Sequence, residues 1–234
     1  MLAGHYATAL VAKQKAPEGS LFFFLVASQF PDLLWLVFHY LGLEPTLPTD
    51  VLDVSLGALV VEMTYSHDLI PILVWTAVIA GAGYGLYRSR RVALVGAGLV
   101  GIHAMTDYLA GYPHSVMGDG TPRIATGMYY SAPYVAVAFE ALYTTIFLGW
   151  FFHNARKAGA RTRRGAIFGI FIFGLIFMVS VAAKSYRELF GIPSFELGFA
   201  TTIPALAVTY ASLILVLVRV VDSPAEEPLA EPSP

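Results

Sequence analysis

VALVGAGLVGIHAMTDYLAG, residues 92–111, decides the fold class. These twenty residues hold one histidine and one aspartate and no lysine or arginine. About twenty apolar residues of helix cross a hydrocarbon core of about 30 Å. Stretches of the same kind recur at 20–43, 70–87, 131–153, 165–184 and 195–220, so six spans are expected. Residues 2–13 (LAGHYATALVAK) predict a shorter apolar helix, half-inserted or lying against the bundle. Residues 54–66 suggest another short helix leading into the second span, with a break near Pro71. Long apolar runs, rather than alternation, exclude a transmembrane barrel. The expected fold is an all-α polytopic membrane helical bundle with a short N-terminal helix.

Composition agrees. Hydrophobic residues make up 57% of the chain and charged ones 13%, about half the roughly 25% of soluble domains. The mean hydropathy is +0.67. Residues 1–221 read as one transmembrane domain and 222–234 (DSPAEEPLAEPSP) as a disordered acidic, proline-rich tail. The first twenty residues lack a signal-peptide pattern and read as part of the mature fold. A net charge of −2 leaves no basic face for nucleic acid.

Eleven of the fourteen lysines and arginines fall on one side of the expected spans, leaving Arg123, Lys184 and Arg187 on the other. The positive-inside rule then puts both termini in the cytoplasm, in a plasma (inner) membrane.

Against this apolar background the ionisable residues His5, Asp32, His67, His103, Asp107 and Glu140 are conspicuous. A charge inside a bilayer costs several kcal/mol unless it is paired, hydrated or metal-bound. His103 and Asp107 are four residues apart and share a helix face. Counting about 1.5 Å per residue puts Asp32, His103, Asp107 and Glu140 in the middle or outer half of the membrane, and His67 near the outer surface. Each alone has a plainer reading: a neutral histidine bonded to aspartate, a carboxylate satisfying the backbone near Pro31, or an interfacial turn. Together they lack a compensating cation at those depths. A divalent metal would supply one, and with no cysteine its ligands must be histidine and carboxylate. That favours zinc, with manganese or iron as alternatives. His39 and His153 sit at span ends and read as interfacial.

Gly4 and His5, Pro31 and Asp32, Tyr65 through His67, and the HxxxD of His103 and Asp107 follow one another in an order that resembles the membrane-bound metal-dependent hydrolases. These are distantly similar to zinc-dependent phospholipase C and single-strand nucleases. The resemblance extends through Gly127 to Pro133 and Glu140, and covers roughly residues 1–145. It implies hydrolysis of a phosphoester or lipid at the outer leaflet, by metal-activated water that Asp32 would orient or deprotonate. Relatives often place a histidine where this chain has Glu62, which becomes a candidate ligand or base. Arg123 would hold the substrate phosphate. Asp68 departs from the serine usual after the YSH histidine, and His114 is a further candidate ligand or a plain loop residue. Two other readings stay open at this stage: an ion- or proton-coupled transporter, and a non-catalytic protein keeping a structural metal or polar site.

Overall fold

The computed structural model describes residues 2–195 and 198–222. The expected tail, 223–234, lies outside them. Asp222, assigned to that tail, ends a helix instead. Helix accounts for 69% of the described residues and strand for 3%, so the layers are helix on helix.

The elements run α1 Ala3–Lys15, α2 Leu21–Ser28, α3 Phe30–Tyr40, β1 Thr46–Leu47, β2 Val60–Val61, α4 Thr64–His67, α5 Leu69–Tyr87, α6 Arg90–Ala110, α7 Met128–Ser131, α8 Pro133–Lys157, α9 Arg164–Ser180, α10 Tyr186–Phe190 and α11 Thr202–Asp222. The two strands form a small antiparallel hairpin pairing Thr46 with Val61. Four helices, α5, α6, α8 and α11, are long and apolar enough to cross a membrane. A fifth span results if α2 and α3 count as one, bent by 63°. The stretch expected as the fifth span forms α9, which at 17 residues reaches only about 26 Å.

The bend falls beside a proline. Gln29 closes α2, and Pro31 stands in the first turn of α3, where a missing N–H removes no helical bond. Likewise Pro71 falls in the first turn of α5, and the chain breaks just before it, at Asp68. The short helix expected over 54–66 does not form as such. Residues 56–58 turn, 60–61 pair as β2, and only Thr64–His67 is helical.

The N-terminal helix is not peripheral. Every residue of α1 from Ala3 to Ala12 is buried, and the helix packs among α2, α6, α8 and α9. Its alanines and glycine let neighbouring backbones approach closely, which drives helix association where lipid is as apolar as leucine. The α5–α6 hairpin uses the same device, since a Cβ on Gly83 would stand 3.1 Å from Ala93 Cα.

The connections gather at two ends. At the basic end, Lys13 Nζ donates to the Pro17 and Gly19 carbonyls, and Gln14 donates to Phe151 O. At the other end, Arg187 bonds Asp50 at 2.6 Å and Asp53 at 2.5 Å, tying the loop after β1 to α10. This second end also carries α4, and beneath it lies the polar group described next.

Candidate metal centre

Asp32 comes from the first turn of α3, His67 from the end of α4, and His103 and Asp107 from one face of α6. All four are buried, and one ligand atom from each lies within 4.8 Å of the others. His67 Nε2 is 3.3 Å from Asp32 Oδ1 and 3.4 Å from His103 Nε2. His103 Nε2 is 3.3 Å from Asp107 Oδ2, and the two remaining His–Asp separations are 3.9 Å. A tetrahedral zinc with bonds of about 2.0–2.1 Å has ligand-to-ligand edges of about 3.3–3.4 Å. Three of the five His–His and His–Asp edges fall within that range or at its limits, and the other two are slightly longer. This buried group is able to hold a metal ion.

Hydrogen bonding around the group prepares its ligand atoms. His103 Nδ1 lies 2.8 Å from the Ser28 carbonyl, which can only accept, so Nδ1 carries the hydrogen. In the neutral ring the Nε2 lone pair then faces two carboxylates and a second imidazole. That arrangement calls for a proton or a cation between them. A second-nitrogen bond to a carbonyl is the usual support for a metal-ligating histidine. Ser28 is available because it ends α2, where carbonyls lack intrahelical partners. One oxygen each of Asp32 and Asp107 lies within 4.8 Å of the other, and two like charges at about 4–5 Å repel by about 3–4 kcal/mol at an effective dielectric of about 20, which a dication between them would offset.

Further residues fix the ligands. Tyr210 of α11 donates to Asp32 Oδ2 at 2.9 Å, leaving Oδ1 for the group. Both oxygens of Asp32 are thereby engaged, which suits a ligand better than the base expected from the resemblance. Glu44 Oε1 accepts the N–H groups of Tyr65 and Ser66 at 2.6 and 2.8 Å and so holds α4, while Ser66 Oγ meets His67 Nδ1 at 2.7 Å. Burial raises the Glu44 carboxyl above its ordinary range. Glu44 and Tyr210 were not singled out in the sequence. The available signal was a lone acid just past the first span and a tyrosine in the middle of the last.

The other expected residues are placed differently. His5 stands beside the group: its ring stacks on His103 with centroids 3.8 Å apart, and its Nε2 is 3.2 Å from Asp107 Oδ1 without the alignment of a hydrogen bond. Glu140 does not join the ligands. Its Oε1 accepts the N–H groups of Ala3 at 2.5 Å and Gly4 at 3.4 Å, holding the start of α1. Unsatisfied donors at a helix N-terminus attract a carboxylate, and that attraction decides its position. Glu62 is exposed beside β2 and is neither in the group nor on the cavity wall. Arg123 is exposed too, bridging Ser115 in the loop after α6, and does not line the cavity. Asp68 accepts the N–H groups of Ser115 and Gly118 at 2.8 and 2.6 Å, pinning that same loop. The pinned loop stacks His114 on His67, centroids 5.2 Å apart. Burial, then the neighbouring His67, lowers the His114 imidazole to about 3, so it stays neutral at physiological pH.

A cavity of about 140 Å³ opens above the group. Asp32, His67, Asp107 and His114 form its polar floor, and the rest of its wall is largely aliphatic and aromatic. Few polar groups converging in an apolar pocket is the usual form of a small-molecule site. A scan of protein-family models and searches of curated proteins and of solved structures returned no match to this chain.

Proposed function

We propose that this protein is an integral membrane, zinc-type metal-dependent hydrolase acting on a phosphoester or lipid substrate. The observation that carries this reading is the convergence of Asp32, His67, His103 and Asp107 in one buried group at the floor of a cavity, with His103 held by Ser28 so that its free nitrogen faces the carboxylates. The order of motifs resembling the membrane-bound metal-dependent hydrolases supports it. Two histidines and two carboxylates suit zinc, with manganese or iron as alternatives.

A metal held there supplies Lewis acidity toward a phosphoryl oxygen and lowers the pKa of a water. The chain's own residues do the rest. Tyr210 orients Asp32, Glu44 and Ser66 orient His67, and His114 offers a neutral imidazole at the cavity floor to a substrate oxygen. The apolar wall excludes bulk water, which strengthens each of these polar contacts. Zinc analysis of detergent-solubilised protein, with chromogenic phosphodiester hydrolysis before and after chelation, tests the reading. One zinc per chain and chelator-sensitive turnover are expected; turnover that survives metal removal would sink it.

The same proposal puts the site toward the outer leaflet of the inner membrane, with six spans, the basic end of the bundle cytoplasmic together with Lys13 and the C-terminal end of α11, and the start of α1 beside the group. Arg88, Arg90, Arg91 and the basic 156–164 segment lie at the end opposite the group, which supports that orientation. Reporter fusions at Gly120 and Ala160 are expected to have opposite sidedness, with Gly120 outside. The same side for both would remove the orientation.

A further inference from the structure

The helices α9 and α11 supply no member of the four-residue group, yet they build much of the cavity wall. Phe177 and Met178 come from α9, Val181 follows it directly, and Leu206, Thr209 and Tyr210 come from α11. Their polar atoms are already engaged: Thr209 Oγ1 donates to Ala205 O, and Tyr210 OH donates to Asp32. Trp35, across the cavity, spends its indole N–H on Thr46 Oγ1. What these residues present to the cavity is therefore hydrocarbon.

The loop end of the cavity is tied by hydrogen bonds. Val51, Val54 and Tyr186 line it there, and Arg187 ties their segments together through Asp50, Asp53 and the Pro193 carbonyl. A water-borne ligand arriving from that end would have to part three charge-assisted or carbonyl bonds. Toward the bilayer, Phe177, Leu206 and Thr209 are half-buried like the loop-end residues, but among the described residues no hydrogen bond joins α9 to α11, so hydrogen bonding ties only the loop end. Size narrows the ligand further. A cavity of about 150 Å³ takes a benzene ring, so 140 Å³ takes a chain segment of roughly six carbons and excludes a pair of acyl chains.

We propose that this cavity receives the single hydrocarbon chain of a membrane-borne phosphoester, admitted sideways between α9 and α11, with the polar end of the molecule at Asp32, His67, His103 and Asp107. The inference rests on the hydrolase reading for the identity of the polar end. Its substance is that α9 and α11 are the specificity elements and that a diacyl lipid is refused.

Trp35 provides the test, because it lines the cavity and is buried. Trp75 and Trp150 are replaced by phenylalanine, so that Trp35 is the sole indole emitter. The protein, in lipid nanodiscs, is titrated with dodecylphosphonate brominated at the fourth or the twelfth carbon, and separately with diacyl phosphatidylcholine brominated at mid-chain. The phosphonate C–P bond resists hydrolysis, so the readout is binding alone. The fourth-carbon bromine, enclosed against Trp35, is expected to remove about half of its emission saturably, and the twelfth-carbon bromine several-fold less. Unbrominated dodecylphosphonate is expected to restore the emission, and the diacyl lipid to leave it unchanged. Equal quenching by the diacyl lipid, or no quenching by either phosphonate, overturns the proposal. Zinc content measured on the same sample separates the two ideas. Bound zinc without quenching overturns only the chain site, whereas quenching without zinc upholds the chain site and overturns the metal reading.

Discussion

Asp107→Ala is expected to abolish metal binding and hydrolysis together. The Asp107 carboxylate faces the centre twice, with Oδ2 3.3 Å from His103 and 3.9 Å from His67, and Oδ1 3.2 Å from His5. Alanine removes both oxygens and leaves two histidines and Asp32, a set with one ligand and one negative charge fewer, which holds a dication far more weakly. Loss of a mere supporting hydrogen bond costs about 10–100-fold in metal affinity, so loss of a ligand is expected to exceed about 100-fold. The effect is readable without turnover. A ligand at about 1,000 times its Kd stabilises the fold by about 4 kcal/mol. Added zinc is expected to raise the unfolding temperature of the wild type and to leave the variant unmoved. An equal zinc-dependent rise in both proteins would show that Asp107 is not a ligand.

The second large effect belongs to Glu140, and it concerns folding. Glu140→Ala leaves the Ala3 and Gly4 N–H groups without their carboxylate acceptor, in a helix buried on every side. Each unsatisfied buried donor costs about 1–3 kcal/mol, so for the two a loss of about 2–6 kcal/mol is expected in the metal-free protein. Glu140→Gln keeps a neutral oxygen at the same place and is expected to lose only about 1 kcal/mol. Because α1 carries His5 against His103, zinc affinity is expected to fall in the alanine variant more than in the glutamine one. Reversible unfolding in detergent, followed by helical circular dichroism, measures the first expectation. Wild-type stability in Glu140→Ala would show that α1 is held by its apolar packing alone.

The two variants also separate what the chain announces from what it conceals. Asp107 is legible because HxxxD puts two ligand-type side chains on one face of a stretch, 92–111, that holds no lysine or arginine. Glu140 looked the same in sequence, a lone acid inside an apolar run. Its function differs because the nearest uncompensated positive end is a helix N-terminus brought there by packing. Glu62 and Arg123 carried suitable chemistry but lie on exposed segments after the fold turns them away from the cavity. No local pattern encodes that turn.

Sequence alone determined the class. Hydropathy sets which segments are apolar enough for a bilayer, and the cost of an intramembrane charge marks the histidines and aspartates whatever their neighbours. Residues 20–43 read as one span, and the 63° bend between α2 and α3 beside Pro31 came only with the structure. Tertiary structure alone decided that α1 lies inside the bundle and that Tyr210, nearly two hundred residues downstream of Asp32, orients its carboxylate. The same holds for Ser28, whose carbonyl fixes the His103 tautomer. Those three depend on distances across the bundle, and a bundle's neighbours follow from the mutual fit of many side chains rather than from the periodicity of any one helix.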